Sequence, residues 1–96
     1  MKIPRTFRCA NRTWRVRYRA MPNSHGMTVY KRCVMYLDTP LRRRKNHDMR
    51  DHTFLHELLH VCAGTMGWKQ VNNDEARIDA LAALLAQALE TSRGKA

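Results

Sequence analysis

The segment from Phe54 to Ala63 constrains the fold of this 96-residue chain more than any other. On a helical wheel at about 100° per residue, its apolar side chains occupy one arc of about 160°. That arc consists of Phe54, Leu55, Leu58, Leu59, Val61 and Cys62. The polar residues His56, Glu57 and His60 fall together in the complementary arc. The pattern predicts a helix over about residues 51–63 with one core face and one face free to form a site.

The two histidines of this segment have the spacing of a metal-binding pair. Residues four apart lie one turn apart on the same side of a helix, so His56 and His60 can both reach one ion. Glu57 lies beside them, and its carboxylate can accept a proton from water that the metal has acidified. The spacing therefore predicts one zinc ion per chain, with His56 and His60 as ligands and Glu57 as general base.

The N-terminal part of the chain predicts strands. Residues 13–19 alternate between apolar and basic side chains, which is the period-two pattern of a strand with one buried face. Phe7 and Cys9 indicate a strand before it, and β-favouring residues predict a third strand over Thr28–Leu37. We therefore expect an α+β fold, in which a small antiparallel sheet of about three strands packs on the motif helix and on a C-terminal helix.

The C-terminal helix is expected to be rich in Ala and Leu and to run to about Glu90, with Asn72 or Asn73 as its N-terminal cap. Its predicted buried stripe is Ile78, Leu81, Ala82, Leu85 and Leu89.

A chain of this length is too short for two separate cores, so one domain is expected over residues 1–96. Within it, residues 1–40 form a basic β part and residues 49–91 form the two-helix zinc part. No apolar run is long enough to span a membrane, which predicts a cytoplasmic protein without a membrane partner. The odd number of cysteines, with no close pair, predicts free thiols at Cys9, Cys33 and Cys62.

Positive charge is concentrated in the N-terminal half. Residues 1–50 hold 14 Lys and Arg against 2 Asp and Glu, whereas residues 51–96 hold 4 against 6. Such an excess attracts polyanions, so nucleic acid or an acidic protein is a candidate partner, although a basic surface can also serve solubility alone. The candidate contact residues are Arg15, Arg17, Arg19, Arg42, Arg43, Arg44 and Lys45.

A hydrolytic zinc site needs a third protein ligand and one open position. Glu75 and Asp79 lie four apart on the expected C-terminal helix, at the border of its buried stripe. Two alternatives stay open. Asn72 to Glu75 also fits a capping box, in which Glu75 only satisfies the helix terminus. The third ligand could instead be His25, His47 or His52.

The motif His56-Glu57-Leu58-Leu59-His60, followed by Glu75 and Asp79, resembles the gluzincin arrangement of thermolysin-type metallopeptidases. The chain also resembles small zinc peptidases encoded by phages and prophages, which place a few strands before the motif helix and a Glu-bearing helix after it. The resemblance covers about residues 34–90. It implies that Glu75 is the third zinc ligand and that Asp79 accepts a hydrogen bond from a ligating histidine. Metzincins match poorly, because Ala63 and Met66 stand where their glycine and third histidine would be.

The resemblance also implies a function, a zinc-dependent metallopeptidase that hydrolyses a peptide or protein substrate. The substrate would add as a strand to the sheet edge, at the strand ending at Tyr36-Leu37-Asp38. The alternative is a basic regulatory protein that binds nucleic acid or a host protein and whose zinc is structural. The oxyanion-stabilising group is left open among Tyr30, Tyr36, His47 and His52, and the pattern assigns no substrate or oligomeric state.

Overall fold

The computed structural model describes residues 1–92, which form a four-stranded sheet with helices on one of its faces. The elements are β1 (Thr6–Cys9), β2 (Arg12–Arg19), β3 (Gly26–Val29), β4 (Val34–Asp38), α1 (His47–Met66), α2 (Lys69–Asn72) and α3 (Glu75–Thr91). The strand order is β1-β2-β4-β3, in which the central pair is parallel and the outer pairs are antiparallel. The α+β class is confirmed. Across residues 1–92, no helix is long and apolar enough to cross a membrane.

The sheet is mixed and has one strand more than expected, because the segment Thr28–Leu37 is not continuous. A 3₁₀ turn at Tyr30–Arg32 interrupts it, and Cys33 follows in the left-handed conformation with φ of 51°. The chain therefore reverses, and β3 pairs with β4 as an antiparallel hairpin. As β3 runs back against β4, β4 points in the same direction as β2 and lies between β2 and β3.

One apolar core joins the sheet to both long helices. Trp14 on β2 and Met35 and Leu37 on β4 are buried, as are Val61 on α1 and Ala82 on α3. The alternation predicted for β2 is present, since its apolar side chains face this core while its arginines face outward. All three cysteines are free thiols, as predicted.

Helix α1 is longer than predicted but keeps the expected core face over its middle, where Phe54, Leu55 and Val61 are buried. Cys62 is exposed, contrary to the prediction, because it faces Cys9 on edge strand β1, where the sheet ends. Glu57 is buried rather than open to solvent.

The connection between α1 and α3 is compact. Gly67 ends α1 with φ of 70°, a left-handed conformation that glycine adopts without strain, and its N–H reaches the carbonyls of Ala63 and Gly64. After the single turn of α2, the carboxylate of Asp74 accepts a hydrogen bond from the N–H of Arg77 at 3.1 Å. Asp74 is therefore the cap of α3.

The predicted cap at Asn72 or Asn73 was therefore wrong. A capping box needs its carboxylate at the third helical position, and Glu75 is the first residue of α3. The buried stripe of α3 was also partly wrong. Ile78 and Ala82 are buried, but Leu81 and Leu89 are about half exposed, because the side of α3 turned away from α1 lies at the surface.

Candidate metal centre

Two histidines and a glutamate from different helices converge at one point. His56 and His60 lie one turn apart on α1, with ring centroids 5.0 Å apart. Glu75, at the start of α3, places one carboxylate oxygen 3.1 Å from Nε2 of His56 and the other 2.6 Å from Nε2 of His60. One ligand atom from each residue lies within 4.8 Å of the others. This group, the triad hereafter, can hold a single metal ion.

Hydrogen bonds on the far side of each imidazole orient the histidines of the triad. Nδ1 of His56 lies 2.9 Å from a carboxylate oxygen of Asp79, and Nδ1 of His60 lies 2.7 Å from the amide oxygen of Asn72. These oxygens only accept hydrogen bonds, so each Nδ1 carries the proton and donates it. Both Nε2 lone pairs are therefore free to face Glu75. The hydrogen bond from His56 also lowers the pKa of Asp79.

Asn72 is a site residue that the sequence analysis missed, having assigned it only a capping role. We expect Asn72→Ala to weaken zinc binding about 10- to 100-fold, because His60 loses the acceptor that orients its ring. Competition with a chelating dye measures this affinity. Asn73→Ala is the matched control, since Asn73 is the exposed neighbour outside the triad. Equal affinities for the two variants would contradict a role of Asn72 in orienting His60.

Tyr30 supports α1 at the position of His60. Its ring stands edge-on to Trp14, and its hydroxyl donates to the carbonyl oxygen of His60 at 2.6 Å. A Cβ at position 64 would lie 2.4 Å from this ring, so glycine at position 64 permits the contact. Burial raises the pKa of Tyr30, which keeps the hydroxyl protonated as a donor. Tyr30 thereby ties the turn after β3 to the triad.

Glu57 lies beside the triad without completing it. The hydroxyl of Thr28 on β3 donates to Oε1 of Glu57 at 2.8 Å, and Oε2 lies 3.9 Å from Nε2 of His56. One carboxylate oxygen is thus fixed by the protein and the other faces the triad. The sequence analysis missed Thr28 as a site residue, although the period-two phase of its strand could have placed it facing α1.

Strand β3 approaches α1 closely at this point. A Cβ at Gly26 would lie 2.8 Å from Cγ2 of Thr53 and 3.0 Å from Cγ of Glu57. Glycine therefore lets the strand come close enough for Thr28 to reach Glu57.

The triad opens into a cleft of about 630 Å³ between β3 and the helices. Its lining includes Thr28, Glu57, the triad and Asp79, and contains no Lys or Arg. Tyr30 and His52, two of the four candidates for oxyanion stabilisation, line the cleft. Tyr36 and His47 are not among the lining residues, which separates them from the chemistry of this cleft.

The strand expected to receive a substrate was misassigned. The strand ending at Tyr36-Leu37-Asp38 is β4, which is hydrogen-bonded to a neighbour on each side. The open edge beside the triad belongs to β3. His25 accepts a bond from the N–H of Asp38 at 2.8 Å, so by antiparallel alternation Thr28 directs its own N–H and C=O toward the open edge.

The alternative histidine ligands lie outside the triad. His25 lines the cleft, whereas His52 contacts Asp79 at 3.0 Å and His47 contacts Asp48 at 2.9 Å. Two further groups could hold an ion, one of His52, His56 and Asp79 and one of His47, Asp48 and Glu90. The first would use the His56 nitrogen that already donates to Asp79. The second is fully exposed, so the triad is the best-built of the three.

The predicted basic contact residues lie apart from the cleft. Arg15, Arg17 and Arg19 are exposed on the face of the sheet turned away from the helices. Arg42, Arg43, Arg44 and Lys45 are exposed in the 3₁₀ turns that follow β4, where the guanidinium of Arg42 lies 5.3 Å from the ring of Tyr18.

The assignment of the triad therefore depends on donor chemistry and geometry. Two imidazoles with free Nε2 atoms and one carboxylate form a donor set that suits zinc. Comparison of the chain with protein-family models, with curated proteins and with solved structures finds no match.

Proposed function

We propose that this protein is a zinc-dependent peptidase in which His56, His60 and Glu75 hold the ion and Glu57 is the general base. The supporting observation is the convergence of the three ligand atoms within 4.8 Å beside a buried carboxylate that is not one of them. A structural zinc site is normally closed by four protein ligands. The triad supplies three, and this number favours hydrolysis over a structural role.

The residues around the triad have complementary roles in amide hydrolysis. A zinc ion in this position would polarise the substrate carbonyl and lower the pKa of water. Glu57 accepts a proton through Oε2 as the water oxygen attacks the amide carbon, while Thr28 holds Oε1 in place. The same proton then passes to the leaving nitrogen as the C–N bond breaks, which returns Glu57 to its carboxylate form.

The open edge of β3 supports an extended peptide as substrate. A peptide paired with Thr28 would run along the cleft past Glu57 and the triad. Main-chain hydrogen bonds of this kind supply affinity with little dependence on side chains. The cleft is therefore proposed to select for an unfolded or extended segment.

Metal removal and reconstitution test this proposal. Metal-free protein is incubated with a mixture of unstructured peptides, with zinc or magnesium added back, and the products are identified by mass spectrometry. Zinc is expected to restore cleavage at internal peptide bonds and magnesium is not, because magnesium prefers oxygen ligands in octahedral geometry. Absence of new peptide termini in the zinc-loaded sample, with bound zinc confirmed, would contradict the proposal.

A further inference from the structure

The face of the sheet turned away from the helices carries a second surface with its own chemistry. This outer face consists of Arg15, Arg17 and Arg19 on β2, Tyr36 on β4 and Met27 on β3. In the sheet register Arg17 lies opposite Tyr36, and Tyr36 lies opposite Met27. The outer face therefore has a row of cations along one strand and an aromatic and apolar strip along the two strands beside it.

The arginine row has a regular spacing. Alternate residues of a strand are about 6.6 Å apart, so the three side chains emerge along a line of about 13 Å. Asp38 lies opposite Arg19 at the end of this row, and its carboxylate accepts a hydrogen bond from the N–H of Met21 at 2.8 Å. The basic residues Arg42 to Lys45 follow β4 at the same end and extend the positive surface.

The strip beside the arginines can receive a flat ring. The guanidinium of Arg19 lies 5.1 Å from the centroid of the Tyr36 ring, a cation–π contact that leaves Tyr36 partly exposed. Met27 is 38% exposed next to it. Single-stranded nucleic acid has the complementary layout, with phosphates along one side and unpaired bases on the other. A duplex keeps its bases inside grooves that a four-stranded sheet cannot enter face-on.

We propose that the outer face binds single-stranded nucleic acid, with phosphates on Arg15, Arg17 and Arg19 and a base stacked on Tyr36. This surface lies on the opposite side of the sheet from the cleft, and none of its arginines lines the cleft. Binding is therefore independent of the proposed peptidase activity and persists in a Glu57→Gln variant.

Fluorescence anisotropy of the full chain with a labelled oligothymidylate of about 12 nucleotides tests the proposal. Each lost phosphate contact on a single strand lowers the salt slope by about 0.7, so replacing all three arginines with glutamine should lower it by about 2. At 0.1 M salt this corresponds to a loss of affinity of about 100-fold, and Arg17→Gln alone should lose about fivefold. Tyr36→Leu should lower affinity about fivefold or more without changing the slope.

The matched control removes the same charge from elsewhere. Lys2, Lys69 and Arg77 are exposed outside the outer face, and their joint replacement by glutamine should change affinity less than about fivefold. Equal losses in the two triple variants would overturn the proposal, because net charge alone would then explain binding. Tighter binding to a duplex of the same length, or equal competition by polyglutamate, would overturn it as well.

Discussion

Glu57→Gln is expected to lower the kcat/KM of peptide hydrolysis about 10²- to 10⁴-fold while leaving zinc affinity unchanged. The glutamine amide has nearly the same shape and keeps the oxygen to which Thr28 donates, but it cannot accept a proton from water. Because Glu57 lies outside the triad, its replacement removes no ligand. Assay of a fluorogenic form of a peptide cleaved by the wild type measures the loss.

The same substitution at Glu90 provides the control. Glu90 lies on α3 with its side chain 54% exposed and outside the cleft, so Glu90→Gln should retain wild-type activity. An active Glu57→Gln variant would remove Glu57 from the proposed mechanism. A variant that had lost its zinc would instead assign Glu57 a role in binding the metal.

Zinc is expected to stabilise the folded protein strongly, and Glu75→Ala is expected to remove most of that effect. A ligand that binds only the folded state, at about 1,000 times its Kd, adds about 4 kcal/mol to the free energy of unfolding. For a domain of this size the increase corresponds to a rise in Tm of roughly 15–30 °C. Loss of Glu75 removes one of three ligands and the contact between α3 and the two histidines.

Thermal unfolding of each variant with buffered zinc and with chelator measures this difference. Glu90→Ala is the control, and it also tests the exposed group of His47, Asp48 and Glu90 as an alternative site. We expect Glu90→Ala to keep the full zinc-dependent rise in Tm. A full rise in Glu75→Ala, or its loss in Glu90→Ala, would show that the ion binds elsewhere.

Local patterns predicted the parts of the fold that local physics determines. The alternation over residues 13–19 located β2 and its two faces, and the helical wheel placed His56, Glu57 and His60 on one side of α1. The interruption of the third strand was not predictable in this way. Cys33 adopts a left-handed conformation that its residue type does not favour, and the turn before it is stabilised by the burial of Tyr30 against Trp14 and α1.

The candidate site shows the same division. The histidine pair depends only on helical periodicity, whereas the contact of Glu75 with it depends on α3 returning beside α1. Thr28 and Asn72 come from a strand and a short helix whose positions depend on the whole fold, and no spacing connects them with the motif. The edge at β3 was missed for the same reason, since strand order is a tertiary property.

Anomalous diffraction at the zinc edge, from crystals of the zinc-loaded protein, tests the convergence of the triad most directly. We predict one ion per chain, about 2.0–2.2 Å from Nε2 of His56, Nε2 of His60 and the carboxylate of Glu75. An ion held instead by His52, Nδ1 of His56 and Asp79, or crystals without a stoichiometric zinc ion, would contradict the account.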